Sequence, residues 1–207
     1  MEKVPKKIVI FGATGNTGLV TTEYAIKNGY EVSVFIRDPA KLPADLKPHK
    51  VFVGDVLNQE NVDSAIEGQD AVVVTLGTRT DLGPTTVLSE GLKNIINGMV
   101  KHHVKRITCC ISAFLFWERS KVPEMYIPVT EDHERMLNVL KASDREWVAL
   151  FPPHITSEPS NQPYTLKNDK PYGRMISKYD LAEIMVKCLT DEERIGHTIG
   201  MGYEPKS

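Results

Sequence analysis

The chain lacks the marks of several protein classes. Three cysteines in 207 residues, two of them adjacent (Cys109 and Cys110), cannot build a disulfide framework, so a reducing, cytoplasmic setting is expected. No CxxC pair or HExxH run is present, and no metal site is expected. Long hydrophobic runs are missing as well. The longest apolar stretches, such as Ala71–Leu76, are far too short to cross a bilayer. Lys3, Lys6 and Lys7 lead straight into an apolar strand without a signal-peptide core. Charge of one sign is absent too: 25 Lys and Arg face 27 Asp and Glu, a formal net charge of -2. Such a balance gives no global field, so neither nucleic acid nor a membrane surface is an expected partner. Finally, none of the seven tyrosines is followed four residues later by lysine. The Tyr–Lys pair that donates a proton in much alcohol–ketone chemistry is therefore missing.

What is present reads as one globular domain over residues 1–207, 41% hydrophobic and 25% charged. Strands are expected at Ile8–Phe11, Glu31–Ile36, Val51–Val53, Ala71–Leu76, Arg106–Ile111 and Trp147–Phe151. Helical faces lie between them: Val87, Leu88, Leu92, Ile95, Ile96 and Met99, then a shorter one at Met136, Leu137, Val139 and Leu140. A last helix carries Leu181, Ile184, Met185, Cys188 and Leu189, with Ser177 and Asp180 spaced as a capping box. Apolar strands alternating with helices imply an α/β fold, a Rossmann-like doubly wound parallel sheet with helices on both faces. Two Pro-rich, aromatic segments, Ala113–Val129 and Pro152–Gly173, break the rhythm and are expected to be functional loops over the carboxyl edge of the sheet.

The most informative run is Gly12-Ala13-Thr14-Gly15-Asn16-Thr17-Gly18, directly behind the first strand. Gly12 suits the tight turn out of the strand. Gly15 would let backbone approach a pyrophosphate, and Gly18 would let the following helix pack closely. At the end of the second strand, where an acid would hold a ribose 2′-hydroxyl, the chain has Arg37, with Lys41 a turn later. Two cations there suit a 2′-phosphate, although Asp38 is adjacent. Asp55, in Val53-Gly54-Asp55-Val56, either accepts from an adenine amino group or caps the next helix. Leu76-Gly77-Thr78-Arg79 closes the fourth strand, where Gly77 would admit a dinucleotide backbone and Arg79 a phosphate or an anionic substrate. Ser112 closes the fifth strand, a candidate for orienting nicotinamide or substrate. Pro153, His154 and Ile155 close the sixth, and His133, expected in the first turn of a helix, would face the same space. Phe114, Phe116 and Trp117 are candidates for an aromatic platform. Arg119, Lys121, Arg174 and Lys178 are candidate rim cations for anionic tails.

These segments, with Pro84-Thr85-Thr86-Val87, Ser112-Ala113-Phe114-Leu115 and Ile176-Ser177-Lys178, resemble the biliverdin-IXβ reductase and NADPH-dependent flavin reductase family, an atypical branch of the short-chain dehydrogenases. The resemblance spans essentially the whole chain. It implies a single Rossmann domain, usually monomeric, holding NADPH through Thr14, Gly15, Thr17, Arg37, Asp55, Leu76, Gly77, Arg79, His133, His154 and Ile155. It further implies hydride transfer to flavins or linear tetrapyrroles. The chain departs at Lys41, where arginine is common in the family, and in a divergent loop, Ser157–Tyr172. Two other readings stay open here: an NADP-binding redox sensor without turnover, and thiol-based nitrosyl transfer at Cys110 or Cys188.

Overall fold

Residues 5–204 are described by a computed structural model; Lys3 lies outside them. The apolar runs become β1 (Lys7–Phe11), β2 (Glu31–Ile36), β3 (Lys50–Val53), β4 (Ala71–Val74), β5 (Arg106–Cys110) and β6 (Glu146–Phe151), all parallel. They belong to an eight-stranded sheet of order β3-β2-β1-β4-β5-β6-β10-β8. Here β10 (Thr198–Tyr203) runs parallel to β6, while β8 (Tyr164–Asn168) is an antiparallel edge.

Alternate residues of the central strands feed two cores, while β3 at the edge leaves Val51 and Val53 exposed. Ile8, Ile10, Val34, Val73 and Val148 face α1 (Asn16–Lys27) and α5 (Lys178–Lys187). Val9, Phe11, Val72, Val74 and Ile107 face α2 (Gln59–Ile66), α3 (Val87–Lys101) and α4 (Ile127–Ala142). Burial on both faces is why these strands read as continuous apolar runs. Each fully buried Ile or Val contributes about 1.5–3 kcal/mol. Among the described residues no helix is long and apolar enough to cross a membrane.

Both expected loops are more structured than their composition suggests. Segment 113–129 folds into three 3₁₀ turns, Ala113–Phe116, Arg119–Lys121 and Glu124–Tyr126, and α4 already begins at Ile127. Pro128 is not a loop residue but sits in the first turn of that helix, where its missing N–H costs nothing. Segment 152–173 contributes β7 (His154–Thr156) and β8. β7 pairs in parallel with β9 (Met175–Ser177) as a separate ribbon. Beyond the last helix the pattern offers no strand, yet β10 forms, its glycines serving close approach. A Cβ at Gly200 would lie 1.9 Å from the Lys170 carbonyl oxygen, and one at Gly202 would lie 2.8 Å from the Gly173 Cα.

The capping box at Ser177 also takes a different form. Ser177 Oγ accepts from the Tyr179 N–H (3.1 Å). Asp180 does not reach back directly; it accepts from the Tyr203 hydroxyl, which itself accepts from the Ser177 N–H (2.9 Å).

Candidate active site

The sheet order reverses between β1 and β4, so the chain leaves their carboxyl ends toward opposite faces and opens a crevice there. Three glycines border it with different tasks. Gly12 has φ +84°, and a Cβ on it would sit 2.5 Å from the Thr75 carbonyl oxygen; a Cβ on Gly18 would sit 2.2 Å from the Gly12 carbonyl oxygen. Both are needed by the fold itself. Gly15 is not: its φ of -77° is ordinary, and its nearest neighbour would be 3.2 Å away.

Gly15 begins α1, which has no side-chain cap and no acid in its first turn. α4 likewise has neither a side-chain cap nor a first-turn acid, but Pro128 removes one of its first-turn N–H groups. The other helices have side-chain partners at their starts. Asn58 caps α2, Ser177 caps α5, and Asp132 of α4 accepts from the Leu88 N–H at the start of α3 (3.0 Å). The first-turn N–H groups of Asn16, Thr17 and Gly18 thus remain for an anion. Arg79, held at φ +59°, donates to the Thr14 carbonyl (3.3 Å) and so bridges the crevice from the β4 side.

Toward the β3 edge, Arg37 is exposed directly after β2. Asp38 accepts from the Ala40 N–H (3.0 Å) and lies 3.8 Å from Lys41 Nζ, so its carboxylate is engaged by the turn it caps. Asp55 is exposed and accepts from the Leu57 N–H (2.9 Å). Because Asn58 caps α2, the capping role left open for Asp55 does not apply. Val56, also a candidate for coenzyme contact, turns its side chain inward. That side chain is buried against Gly91, and the Val56 carbonyl accepts from Asn94 (2.9 Å). Leu76 is half-buried against the core, and Gly77 faces open space.

At the other end, Ser112 lies two residues beyond β5 and accepts from the Phe114 N–H (3.3 Å), capping the first 3₁₀ turn. Pro153 and Ile155 are half-buried while His154 is exposed, opposite Met175 in the β7–β9 ribbon. His133 is in the second turn of α4 rather than the first, because the helix starts earlier than the apolar pattern suggests. Its Nδ1 is buried without a partner. Burial pushes its pKa down to about 4, although the neighbouring Asp132 carboxylate pulls the other way.

That shift has a stability consequence. The unfolded ring takes up a proton near pH 6.5 and the folded one only near 4, so this group's penalty is absent above 6.5 and grows as pH falls to about 4. From about pH 7 to about pH 5 the wild type should lose roughly 2 kcal/mol more stability than His133→Gln. Urea unfolding of both proteins at the two pH values checks it; equal losses would contradict it.

The aromatic segment divides its tasks. Phe114 packs against Trp117 (ring centroids 5.1 Å, nearly perpendicular) and Tyr126 (5.2 Å), whereas Phe116 turns inward onto Phe151 (4.8 Å). Trp117 and Met125 remain 49% and 60% exposed, and Met175 and Tyr179 of the β9–α5 side are also exposed. Exposed large apolar groups of this kind are candidates for ligand contact. The expected rim cations are not all free. Arg119 pairs with Glu131, and Lys121 lies 3.0 Å from Glu118. Arg174 is exposed before β9, and Lys178 Nζ stands 5.2 Å over the Tyr179 ring.

The sequence profile of the NAD(P)H-binding family matches residues 12–192. The chain belongs to that family. Among curated relatives, a 3-beta-hydroxysteroid dehydrogenase from Mycolicibacterium neoaurum is 33% identical over 113 residues, 48% of this chain and 30% of the relative. The chain thus matches under a third of that relative's length. A Rossmann-fold NAD(P)-binding family protein from Shigella flexneri is 25% identical with a TM-score of 0.77, covering 98% of both chains. A candidate NADH–flavin reductase from Streptococcus pneumoniae shares the fold at 19% identity and TM-score 0.80, covering 96% of this chain and 100% of the other.

The NAD(P)H-binding crevice has room and bonding capacity for its coenzyme: an uncapped α1, a bare Gly15 and an unpartnered His133 Nδ1. It does not fit the thiol alternative. Burial pushes the Cys110 and Cys188 thiols up to about 12, and raises Cys109 as well. A thiolate is scarce at neutral pH under those conditions. Among the described residues no His, Cys, Asp and Glu cluster could hold a metal. Tyr126, Thr130, Glu118, Glu131 and Asp132 are site neighbours that the apolar pattern did not single out. Pro128 as a first-turn proline was the available signal for the early start of α4 that places them.

Proposed function

We propose that this NAD(P)H-binding protein is a reductase that passes a hydride from NADPH to flat, conjugated acceptors. These are flavins (riboflavin, FMN, FAD) and linear tetrapyrroles such as biliverdin-IXβ, giving reduced flavin or bilirubin-IXβ. One observation carries the reading: the segment that follows β5 leaves Trp117 and Met125 exposed, and the β9–α5 segment leaves Met175 and Tyr179 exposed. The flavin-reductase candidate among the structural neighbours supports the same direction.

When bound, the nicotinamide supplies the hydride. The chain's own contribution is orientation. First-turn N–H groups of α1 would hold the pyrophosphate, Arg37 and Lys41 the 2′-phosphate, and Asp55 the adenine end. Leu76, Gly77 and Arg79 would line the middle, with Ser112, His133, Pro153, His154 and Ile155 around the carboxamide end. Phe114 and Trp117 would bound the acceptor, with Arg119, Lys121, Arg174 and Lys178 around the mouth. Hydride acceptance by a conjugated ring or methine needs alignment more than a strong acid, which accounts for a site without a Tyr–Lys pair. The compensating proton comes from solvent. On this reading one domain carries both sites, and the chain acts as a monomer.

Anaerobic mixing of the protein and NADPH with riboflavin, and separately with biliverdin-IXβ, tests it by absorbance. The expected result is stoichiometric loss of the reduced coenzyme with formation of reduced flavin or bilirubin. Tight NADPH binding without oxidation by either acceptor would overturn it and favour a redox sensor.

A further inference from the structure

We infer that the hollow between the 3₁₀ turn at Phe114 and helix α4 is a subsite for an uncharged, hydroxyl-bearing arm of the acceptor, and that its rim selects neutral acceptors over anionic ones. The inference rests on the reading of the mouth as an acceptor site. The hollow measures about 120 Å³, the scale of a cavity that takes one ring or a short chain. Its walls are largely apolar, with Phe114, Trp117, Val122 and Ile127 exposing no charge. Three polar side chains interrupt them: Arg119, and on α4 Thr130 and, one turn later, Glu134.

Thr130 is the telling residue. A threonine inside a helix ordinarily returns its hydroxyl to a carbonyl of the preceding turn, as Thr21 does to Thr17 (2.9 Å) and Thr22 to Gly18 (2.8 Å). Thr130 Oγ1 is buried and makes no such bond. A buried hydroxyl left unpaired is costly, and a turn of the Thr130 side chain toward the hollow would let an incoming hydroxyl, able both to donate and to accept, satisfy it.

The rim argues against an anionic arm. Arg119 is neutralised by Glu131 and Lys121 by Glu118. Glu134 lines the hollow with no cation paired to it among the described residues. Of the two charged residues lining the hollow, Arg119 is engaged by Glu131, which leaves the Glu134 carboxylate without a cation. A phosphate or propionate brought here would meet an unpaired carboxylate, whereas a polyol would meet bonding partners. Arg174 and Lys178 line neither this hollow nor the one on the other side of Trp117.

Three flavins separate the possibilities: lumiflavin has no arm, riboflavin has a neutral polyol, and FMN has the same polyol with a phosphate. Their affinities for the NADP-loaded protein would be measured by equilibrium dialysis at low and high salt. Riboflavin should bind most tightly, ahead of FMN by about fivefold at low salt, with the gap shrinking as salt screens Glu134. Thr130→Val, equal in shape, should weaken riboflavin roughly 3- to 10-fold and leave lumiflavin unchanged. Unchanged lumiflavin binding also reports an intact fold. Glu134→Gln should narrow the gap between riboflavin and FMN. FMN binding as tightly as riboflavin, a uniform loss across all three in Thr130→Val, or no flavin binding would overturn the inference. Reduction of all three flavins without this ordering would sink the subsite and leave the reductase standing. The ordering without any reduction would do the reverse.

Discussion

Gly18→Ala should leave little folded protein, whereas Gly15→Ala should fold and lose its coenzyme. At Gly18 a methyl would be driven to 2.2 Å from the Gly12 carbonyl oxygen and 2.8 Å from Thr75 Oγ1. Neither neighbour can yield: Gly12 is fixed by its turn, and Thr75 Oγ1 donates to the Phe11 carbonyl (2.9 Å). Helix α1 would have to lift off the sheet, at a cost above about 3 kcal/mol, a large share of a typical domain's stability. At Gly15 the same methyl meets one oxygen at 3.2 Å and a permitted backbone. Alanine at a helix N-cap costs about 1 kcal/mol, or roughly 2–4 °C in Tm. It would project where the pyrophosphate must approach, and NADPH affinity should fall roughly 100-fold, nearly 3 kcal/mol. Thermal melts with NADPH fluorescence titration would show both. Wild-type coenzyme affinity in Gly15→Ala would contradict the assignment of α1 as the pyrophosphate site.

Arg37→Ala should weaken NADPH roughly 10- to 150-fold and barely change NADH, since a charge-assisted bond to phosphate contributes about 1.5–3 kcal/mol. The structure sharpens this expectation through Asp38. That carboxylate is the acid best placed to take a ribose hydroxyl, but it is engaged by the Ala40 N–H and lies near Lys41. Arg37 is left exposed at the strand end. Titration of both coenzymes against wild type and variant gives the answer, and equal losses would remove Arg37 from the 2′-phosphate.

The parallel sheet was legible because its strands are buried on both faces, so Ile8–Phe11 and Ala71–Val74 carry no polar interruption. The glycine turn was legible because its spacing follows from backbone geometry. Legibility failed where tertiary contacts decide. β10 hides behind Gly200 and Gly202, which read as loop residues but exist so that segment 170–173 can cross the strand. α4 hides its first turns behind Pro128, and with them the positions of Thr130 and His133. The charges of Arg119 and Lys121 were visible in sequence, but their pairing with Glu131 and Glu118 depends on how the 3₁₀ turns bring the chain back onto α4.

Direct hydride transfer at the mouth of the crevice is the central claim. Its most direct test is a single anaerobic turnover with riboflavin, using NADPH deuterated at C4 on one face and then on the other. The account predicts reduction that slows severalfold for one deuterated face only, because α1, Arg79 and the mouth residues present a single nicotinamide face to the acceptor. Reduction at equal rates with both labelled coenzymes, or no oxidation of bound NADPH, would contradict it.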